Sequence, residues 1–192
     1  MAVYAIHRYP RDLELRDGTR VCLRPMAAGD ADALLAFFHR IPEQDRFFLK
    51  DDVTSPLVIQ AWATHLDYDR ALPLLAWQGD RIVADGVLIR HRGGARRDTA
   101  EIRIVVDPEV QNCGLGVAMI SELLDIASDA ELGVAVFELV KEAQGRAIEA
   151  VQSLGAIESG TVSGLVKDSH GRPHDLVFMT LPLGRWWKWS RY

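Results

Sequence analysis

The sequence predicts a mixed α/β fold of the α+β type, in which antiparallel strand pairs flank one strand–helix–strand unit. Alternating segments separated by tight turns, at residues 72–90 and 156–182, are typical of hairpins. Between them, a strand, an amphipathic helix and the apolar run 134–140 have the spacing of a crossover between parallel strands. A chain of 192 residues is long enough for one domain with a sizeable core.

The first part of the chain is predicted to contain one strand and two helices. Residues 1–14 are expected to form an N-terminal arm, and residues 20–25 alternate as a strand does. A helix is expected from Asp30, a suitable N-cap, to the residue before Pro42, because proline cannot continue a helix. A second helix is expected over 56–65, where proline occupies the favoured first position.

Three strands are predicted next. Residues 72–77 and 81–90 are joined by the turn Gln78-Gly79-Asp80 and predict a hairpin. Residues 99–106 form the third strand, which Asp107-Pro108 closes.

The remaining part alternates helices with strands, and its predicted elements are helix 114–128, strand 134–140, helix 143–154 and strands 156–166 and 174–182. The run 134–140 is mostly apolar, which is typical of a strand buried on both faces. The domain is therefore expected over 15–183. The aromatic tail 184–192 is expected to pack on its own subunit or on a second copy in a homodimer.

The composition excludes several classes of protein. Lys and Arg number 22 against 27 Asp and Glu, and the net charge of −5 argues against nucleic acid as a partner. The longest uncharged stretch, residues 53–66, has 14 residues, whereas a membrane helix needs about 20 apolar ones. Two cysteines, no apolar leader and no zinc-like His spacing predict a cytoplasmic protein with no membrane partner and no metal.

One motif carries chemical information. Gln111-Asn112-Cys113-Gly114-Leu115-Gly116 follows a predicted strand and opens a predicted helix. Its glycines let the main chain approach a ligand, and the first amides of a helix are unpaired and lie at the positive end of its dipole. This arrangement binds phosphate without Lys or Arg. The motif is not a Walker loop, because no Gly-Lys-Ser/Thr follows, and Met119 stands where a dinucleotide fingerprint has its third glycine.

The motif resembles the acyl-CoA signature of the GNAT family of N-acetyltransferases. The resemblance extends from about residue 16 to residue 183 and is greatest to the acetyltransferase domain of bacterial protein-lysine acetyltransferases. It implies a GNAT fold, with a central mixed sheet of about seven strands, four helices and splayed parallel fourth and fifth strands. It also implies acetyl-CoA as the acyl donor and direct transfer to an amine acceptor, with a protein lysine preferred.

The same resemblance implies a binding site for acetyl-CoA. The main chain of Val105 and Val106 is expected to pair with the pantetheine arm. Gln144 is expected to contact the cofactor, since it replaces an Asn that is frequent in relatives. The amides expected to hold the pyrophosphate are those of Gln111, Asn112, Cys113, Gly114, Leu115, Gly116 and Val117. Asn112 and Cys113 stand where relatives often carry a cation, so that contact is missing from the motif.

Glu101 is the candidate general base. A lysine amine has a pKa of about 10.4, so its deprotonation at pH 7 costs roughly 4.6 kcal/mol, and only the neutral amine attacks a thioester. The alternative role of Glu101 is a surface ion pair with Arg103 on the same strand face. No general acid is evident, because Val151 stands where many relatives have a tyrosine.

Two other functions remain open at this level. The acceptor could be a small-molecule amine or an antibiotic, or the chain could be a catalytically silent acyl-CoA-binding regulatory module. Covalent catalysis by Cys113 is disfavoured, because no His lies near it in the sequence to act as its base.

Overall fold

Eight strands form one mixed sheet in the computed structural model, which describes Tyr4 and residues 6–184. The strands are β1 Arg11–Glu14, β2 Arg20–Pro25, β3 Ala71–Gln78, β4 Arg81–Arg90, β5 Thr99–Val106, β6 Val134–Val140, β7 Ile157–Lys167 and β8 Pro173–Pro182. Their order across the sheet is β1-β2-β3-β4-β5-β6-β8-β7. Neighbours β5 and β6 are parallel and the other neighbouring pairs are antiparallel. The predicted fold class and the single parallel pair are confirmed.

The structure adds details at both edges of the sheet that the sequence analysis did not specify. The arm predicted over residues 1–14 contains β1, which pairs with β2 and adds an eighth strand. At the other edge β8 inserts between β6 and β7, so that β7 is the outer strand. The predicted tail over 184–192 lies outside the described residues from position 185 onward, and its packing stays a prediction.

The described residues form five α-helices: α1 Ala31–Arg40, α2 Glu43–Arg46, α3 Pro56–Thr64, α4 Leu115–Asp129 and α5 Gly145–Ser153. One face of the sheet packs against α1 and α3, and the other packs against α4, with α5 beside it. The four-residue α2 was not predicted, because a single turn leaves no periodicity to detect. The predicted cap is wrong in detail: Asp30 accepts a hydrogen bond from Ala27 N–H (2.7 Å) and pairs with Arg24, and makes no side-chain cap to α1.

Side chains of β5 alternate between these two faces. Ala100 and Ile102 are buried in the core that includes α4. Val105 packs on the other side, in the cluster that includes α1 and α3. Glu101 and Arg103 therefore face the side of α1 and α3, because alternate residues of a strand share a face.

The expectation that 134–140 is buried on both faces is wrong for one face. Ala135, Phe137 and Leu139 are buried, whereas on the opposite face only Val140 is buried and Val134, Val136 and Glu138 are partly exposed. The reason is the pairing with β5, which ends where Glu101 meets Val136. Beyond that pair the two strands separate and a cleft opens between them.

Among the described residues, no helix combines the length and apolar character needed to span a bilayer. In the same part of the chain, no three His, Cys, Asp or Glu side chains are grouped as metal ligands.

Candidate active site

The separation of β5 from β6 exposes part of the main chain of β5. Asp107 N–H donates to the carbonyl of Val83 on β4 (2.9 Å). Since peptide groups alternate along an antiparallel ladder, those of Val105 also point toward β4, and those of Ile104 and Val106 point into the gap. Of the two residues predicted to pair with a ligand, Val106 therefore faces the open side and Val105 does not. Ile104 joins Val106, which only the register of the ladder could reveal.

A cleft of about 990 Å³ extends from this gap beneath α1 and α3. Ile102, Ile104 and Val151 line it on the α4 and α5 side of the sheet, and Glu101 and Arg103 line it on the other side. The cleft thus passes between the strands and is accessible to ligand groups from both faces.

A buried carboxylate fixes the loop that follows β5. Asp107 is 1% exposed and accepts hydrogen bonds from Arg40 and Arg81, each at 2.8 Å, and from the amide of Glu109. Burial raises the pKa of Asp107, but the hydrogen bonds from the two arginines outweigh it, so the net pKa is lowered. The carboxylate stays ionised and ties the loop to α1 and β4.

The loop ends in an anion-binding geometry at the start of α4. Gly114 has φ +89°, a left-handed conformation that favours glycine. The first hydrogen bond of α4 runs from Ala118 N–H to Gly114 O, so the amides of Leu115, Gly116 and Val117 precede the ladder. These amides and the helix dipole attract negative charge at this point.

Cys113 contributes its main chain to this loop rather than its thiol. Its side chain is 7% exposed, and Sγ lies 2.8 Å from the carbonyl of Val110. The thiol is therefore directed inward, away from the amides of the helix start. Asn112 beside it adopts φ +67°, which helps the chain turn into the helix.

Two arginines that the motif itself lacks lie against this loop. Arg146 of α5 donates to the side-chain oxygen of Gln111 (2.9 Å). Arg16, in the turn between β1 and β2, bonds through its amide to the carbonyl of Cys113 and packs its side chain beside Gly114. Sequence analysis missed both, because they come from elements 30 or more and about 100 residues away, and no spacing pattern marks them.

Glu101 lies in a network of charges at the wall of the cleft. It accepts hydrogen bonds from Arg103 Nε (2.8 Å) and Lys50 Nζ (2.8 Å), and Lys50 also reaches Glu138 (2.9 Å). Burial raises the pKa of Glu101, but the hydrogen bonds from Lys50 and Arg103 outweigh it, so the pKa is lowered. The predicted pairing with Arg103 exists, and Glu101 also lines the cleft. Lys50 carried no signal in the sequence.

Gln144 and Val151 line the opposite part of the cleft. The Gln144 oxygen accepts a hydrogen bond from Val140 N–H (2.7 Å), and the NH₂ group of the same amide can donate to a ligand. Val151 is 1% exposed and supplies an apolar wall without a proton to donate.

One protein family and several solved structures are similar to this chain. Residues 35–156 match the model of the acetyltransferase (GNAT) family. A search of curated proteins finds no significant match.

Several solved structures have the same fold. The GNAT domain of PAT from S. lividans is 20% identical, with a TM-score of 0.74, over 90% of this chain and 96% of that chain. The protein yncA from Salmonella typhimurium, solved with its cofactor acetyl-CoA, is 22% identical, with a TM-score of 0.71, over 86% and 95%. The ribosomal-protein-S5-alanine acetyltransferase from Vibrio fischeri is 12% identical, with a TM-score of 0.77, over 92% and 98%.

Proposed function

The chain belongs to the acetyltransferase (GNAT) family, and from this premise we propose that it transfers the acetyl group of acetyl-CoA directly to the amine of a protein lysine. As a member of the family it is an N-acetyltransferase, and its acyl donor is acetyl-CoA. The direct transfer, the lysine acceptor and the residue roles given below are the proposal.

The proposed donor site combines the helix start with the open side of β5. The amides from Gln111 to Val117 hold the pyrophosphate, and the exposed cations of Arg16 and Arg146 add attraction. The pantetheine arm lies in the gap as an added strand and bonds to the peptide groups of Ile104 and Val106. The amide of Gln144 donates to the same arm from across the cleft.

The proposed chemistry begins with a proton transfer to Glu101. An arriving ammonium displaces Lys50 from Glu101 and gives its proton to the carboxylate, which leaves a neutral amine. The amine attacks the thioester carbonyl, the C–N bond forms, the nitrogen loses its surplus proton, and the C–S bond breaks with its electron pair on sulfur. That proton and the one held by Glu101 pass in the end to water. A water molecule protonates the thiolate, since Val151 has no proton to give.

The position of Lys50 is the observation that supports a lysine acceptor. Its ammonium lies 2.8 Å from Glu101 and 2.9 Å from Glu138, so a lysine side chain fits between these two carboxylates. The Lys50 side chain is 45% exposed, and its exchange for a substrate lysine requires no opening of the core. A second candidate, a small-molecule amine, is favoured by the size of the cleft, about 990 Å³.

The proposal is tested by the release of free thiol from acetyl-CoA in the presence of lysine peptides, small amines and no amine. Glu101→Gln should lower kcat by about 10²–10⁴-fold and leave acetyl-CoA affinity nearly unchanged. The loss should shrink as the pH approaches the amine pKa, because the free amine then needs no base. The matched control is Glu149→Gln, which makes the same change on the exposed side of α5.

Each contrary outcome has a distinct meaning. Binding of acetyl-CoA without amine-dependent thiol release would identify a silent binding module. A rate for Glu101→Gln equal to that of the wild type across the pH range would remove Glu101 as the base. Thiol release with small amines and not with peptides would replace the lysine acceptor by the second candidate.

A further inference from the structure

A carboxylate with an unpaired oxygen lies in the wall of the cleft, at a distance from Glu101. Asp85 of β4 is 6% exposed, and its Oδ1 has no hydrogen-bond partner among the described residues. Buried carboxylates are normally paired, because removal of an ionised group from water is costly. Asp85 also lines the cleft, so a ligand bound there can provide the missing partner.

The surroundings of Asp85 are apolar on the strands beside it. Leu75 of β3 and Val105 of β5 are its direct neighbours across the sheet. Leu34 and Phe38 of α1 line the same part of the cleft. Burial raises the pKa of Asp85 to about 7, and no charged group among the described residues lowers it.

Charged groups also line this cleft, but they lie farther from Asp85 along the strands and helices. Neither β3 nor α3 carries a charged residue. On β5 the charged residues of the cleft face are Glu101 and Arg103, which bind each other. On α1, Arg40 is held by Asp107. The other charged or titratable side chains lining the cleft are Lys50, Asp51, His65, Asp67 and Arg70. Glu138 of β6 and Lys167 of β7 complete the set.

The register of the sheet gives the two carboxylates different positions. Asp85 lies directly across from Val105, beside the stretch of β5 that opens into the gap. Glu101 is four positions earlier on β5, which corresponds to about 13 Å along a strand. Asp85 is therefore adjacent to the proposed binding stretch of the donor, whereas Glu101 stands where the strands begin to separate.

We propose that Asp85 is a second catalytic carboxylate, which takes the proton of the attacking nitrogen as the C–N bond forms. The proposal rests on the proposed function, in which Glu101 removes the first proton from the ammonium. The neutral amine then passes along the cleft that both carboxylates line, from Glu101 to the thioester beside Asp85. A nitrogen that has attacked the thioester still carries one proton too many for an amide. That N–H bond breaks with its electron pair on nitrogen, and the proton moves to an oxygen of Asp85.

The remaining steps balance the reaction. The C–S bond breaks with its electron pair on sulfur, and the thiolate takes a proton from water. Asp85 and Glu101 each return a proton to water and are again carboxylates. The apolar wall favours this transfer, because an apolar environment disfavours charged groups. When the proton moves, the cationic nitrogen and the carboxylate both become neutral.

The test compares Asp85→Asn with Glu101→Gln across the pH range, again by thiol release. Asp85→Asn should lower kcat by about 10²–10³-fold with acetyl-CoA affinity retained. The wild-type rate should rise as the pH passes through about 7, the pKa of Asp85, and Asp85→Asn should lack this rise. Its loss should persist at high pH, where the loss for Glu101→Gln shrinks, because a free amine must still lose a proton after attack. Asp80→Asn, at an exposed position in the turn between β3 and β4 and outside the cleft lining, is the matched control.

A stability measurement shows whether the Asn variant is folded. The folded-state pKa of Asp85 lies above its ordinary value of 3.8, so ionisation opposes folding as the pH rises from about 4 to about 7. Asp85→Asn should therefore melt at a higher temperature than the wild type at pH 7, and the difference should shrink toward pH 4. An Asn variant that melts at or below the wild-type temperature at pH 7 would contradict an unpaired buried carboxylate, and the proposal with it.

The kinetic outcomes separate the two hypotheses. A folded Asp85→Asn variant with wild-type kcat would overturn the role of Asp85 and leave the proposed function intact. A deficit confined to Asp85→Asn would remove Glu101 as the base and keep Asp85. If the wild type releases no thiol with any amine, the proposed function fails and this inference fails with it.

Discussion

Two buried carboxylates on opposite faces of the sheet differ in whether they are paired. On the side of α4, Glu122 is 4% exposed and accepts hydrogen bonds from Tyr9 Oη (3.0 Å) and from Arg11. On the side of α1 and α3, Asp85 is buried to a similar degree, and its Oδ1 has no partner within the described part of the chain. A paired carboxylate contributes to stability, and an unpaired one opposes it. Asp107, on the same face as Asp85, is buried and paired with Arg40 and Arg81, so the difference marks the position of Asp85 in the cleft as suited to a ligand and not the whole face.

Strand β5 belongs to both faces because its side chains alternate. Ala100 and Ile102 are at most 2% exposed against the α4 side, and Glu101 and Arg103 face the cleft. A substitution at one position of this strand therefore affects packing, while a substitution at the next position affects chemistry. Variants on the two faces of the sheet test how complete this separation is.

The largest effect is expected at Gly116, because the start of α4 is the proposed phosphate site, whereas the rest of the helix packs against the sheet. Gly116→Glu places a carboxylate among the amides that hold phosphate, and acetyl-CoA affinity should fall by about 10³-fold, since like charges at contact cost several kcal/mol. The fold should survive, because an added Cβ would meet Val106 Cγ2 at an ordinary 3.7 Å. Calorimetry of acetyl-CoA binding is the measurement.

Gly29→Glu is the matched control for Gly116→Glu, since an added Cβ at Gly29 meets nothing within 4 Å and Gly29 lies outside the motif. Unchanged acetyl-CoA affinity in Gly116→Glu would remove the helix start from the donor site.

A medium effect is expected at Glu122, on the packing face. Glu122→Gln removes the negative charge to which Arg11 and Tyr9 donate hydrogen bonds. The free energy of unfolding should therefore fall by about 1–2 kcal/mol, and kcat should stay unchanged. Urea unfolding measures the loss, and Glu149→Gln on the exposed side of α5 provides the baseline. Together with the stabilisation expected for Asp85→Asn, this result would sharpen the contrast between the faces. A gain in stability from Glu122→Gln would contradict this contrast.

The smallest effect is expected at Lys50, at the border of the cleft. Lys50→Met should raise the pKa of Glu101, because the hydrogen bond from Lys50 lowers it. The acidic limb of the kcat/KM profile should therefore move to higher pH. Stability should fall by less than about 1 kcal/mol above the ordinary pKa of Glu101, because Lys50 is 45% exposed, and this difference should vanish as the pH falls through the folded-state pKa.

Lys141→Met, another exposed lysine, is the control for Lys50→Met. An unmoved acidic limb would show that Lys50 does not act on the base.

Local patterns were sufficient for most of the fold. Strand β5 was predicted at its observed bounds, and the start of α4 was predicted within one residue, because alternation and glycine punctuation are local signals. The insertion of β8 between β6 and β7 was not predicted, since strand order depends on pairing between distant segments. The burial of 134–140 was misjudged because apolar side chains that line a cleft resemble those of a core.

The residues of the candidate site fall into the same two groups, those that local sequence patterns indicate and those that only the tertiary fold brings to the site. The sequence by itself determined the fold class, the loop from Gln111 to Gly116 and the presence of Glu101 on a strand beside it, because each depends on neighbours within a few residues. Only the tertiary structure decided that Arg16 and Arg146 flank the loop and that Lys50 binds Glu101. It also decided that Asp85 faces the cleft with an oxygen that no described residue pairs. The charges that surround a site come from distant segments, and their positions follow from sheet register and helix packing, which leave no periodic trace in the chain.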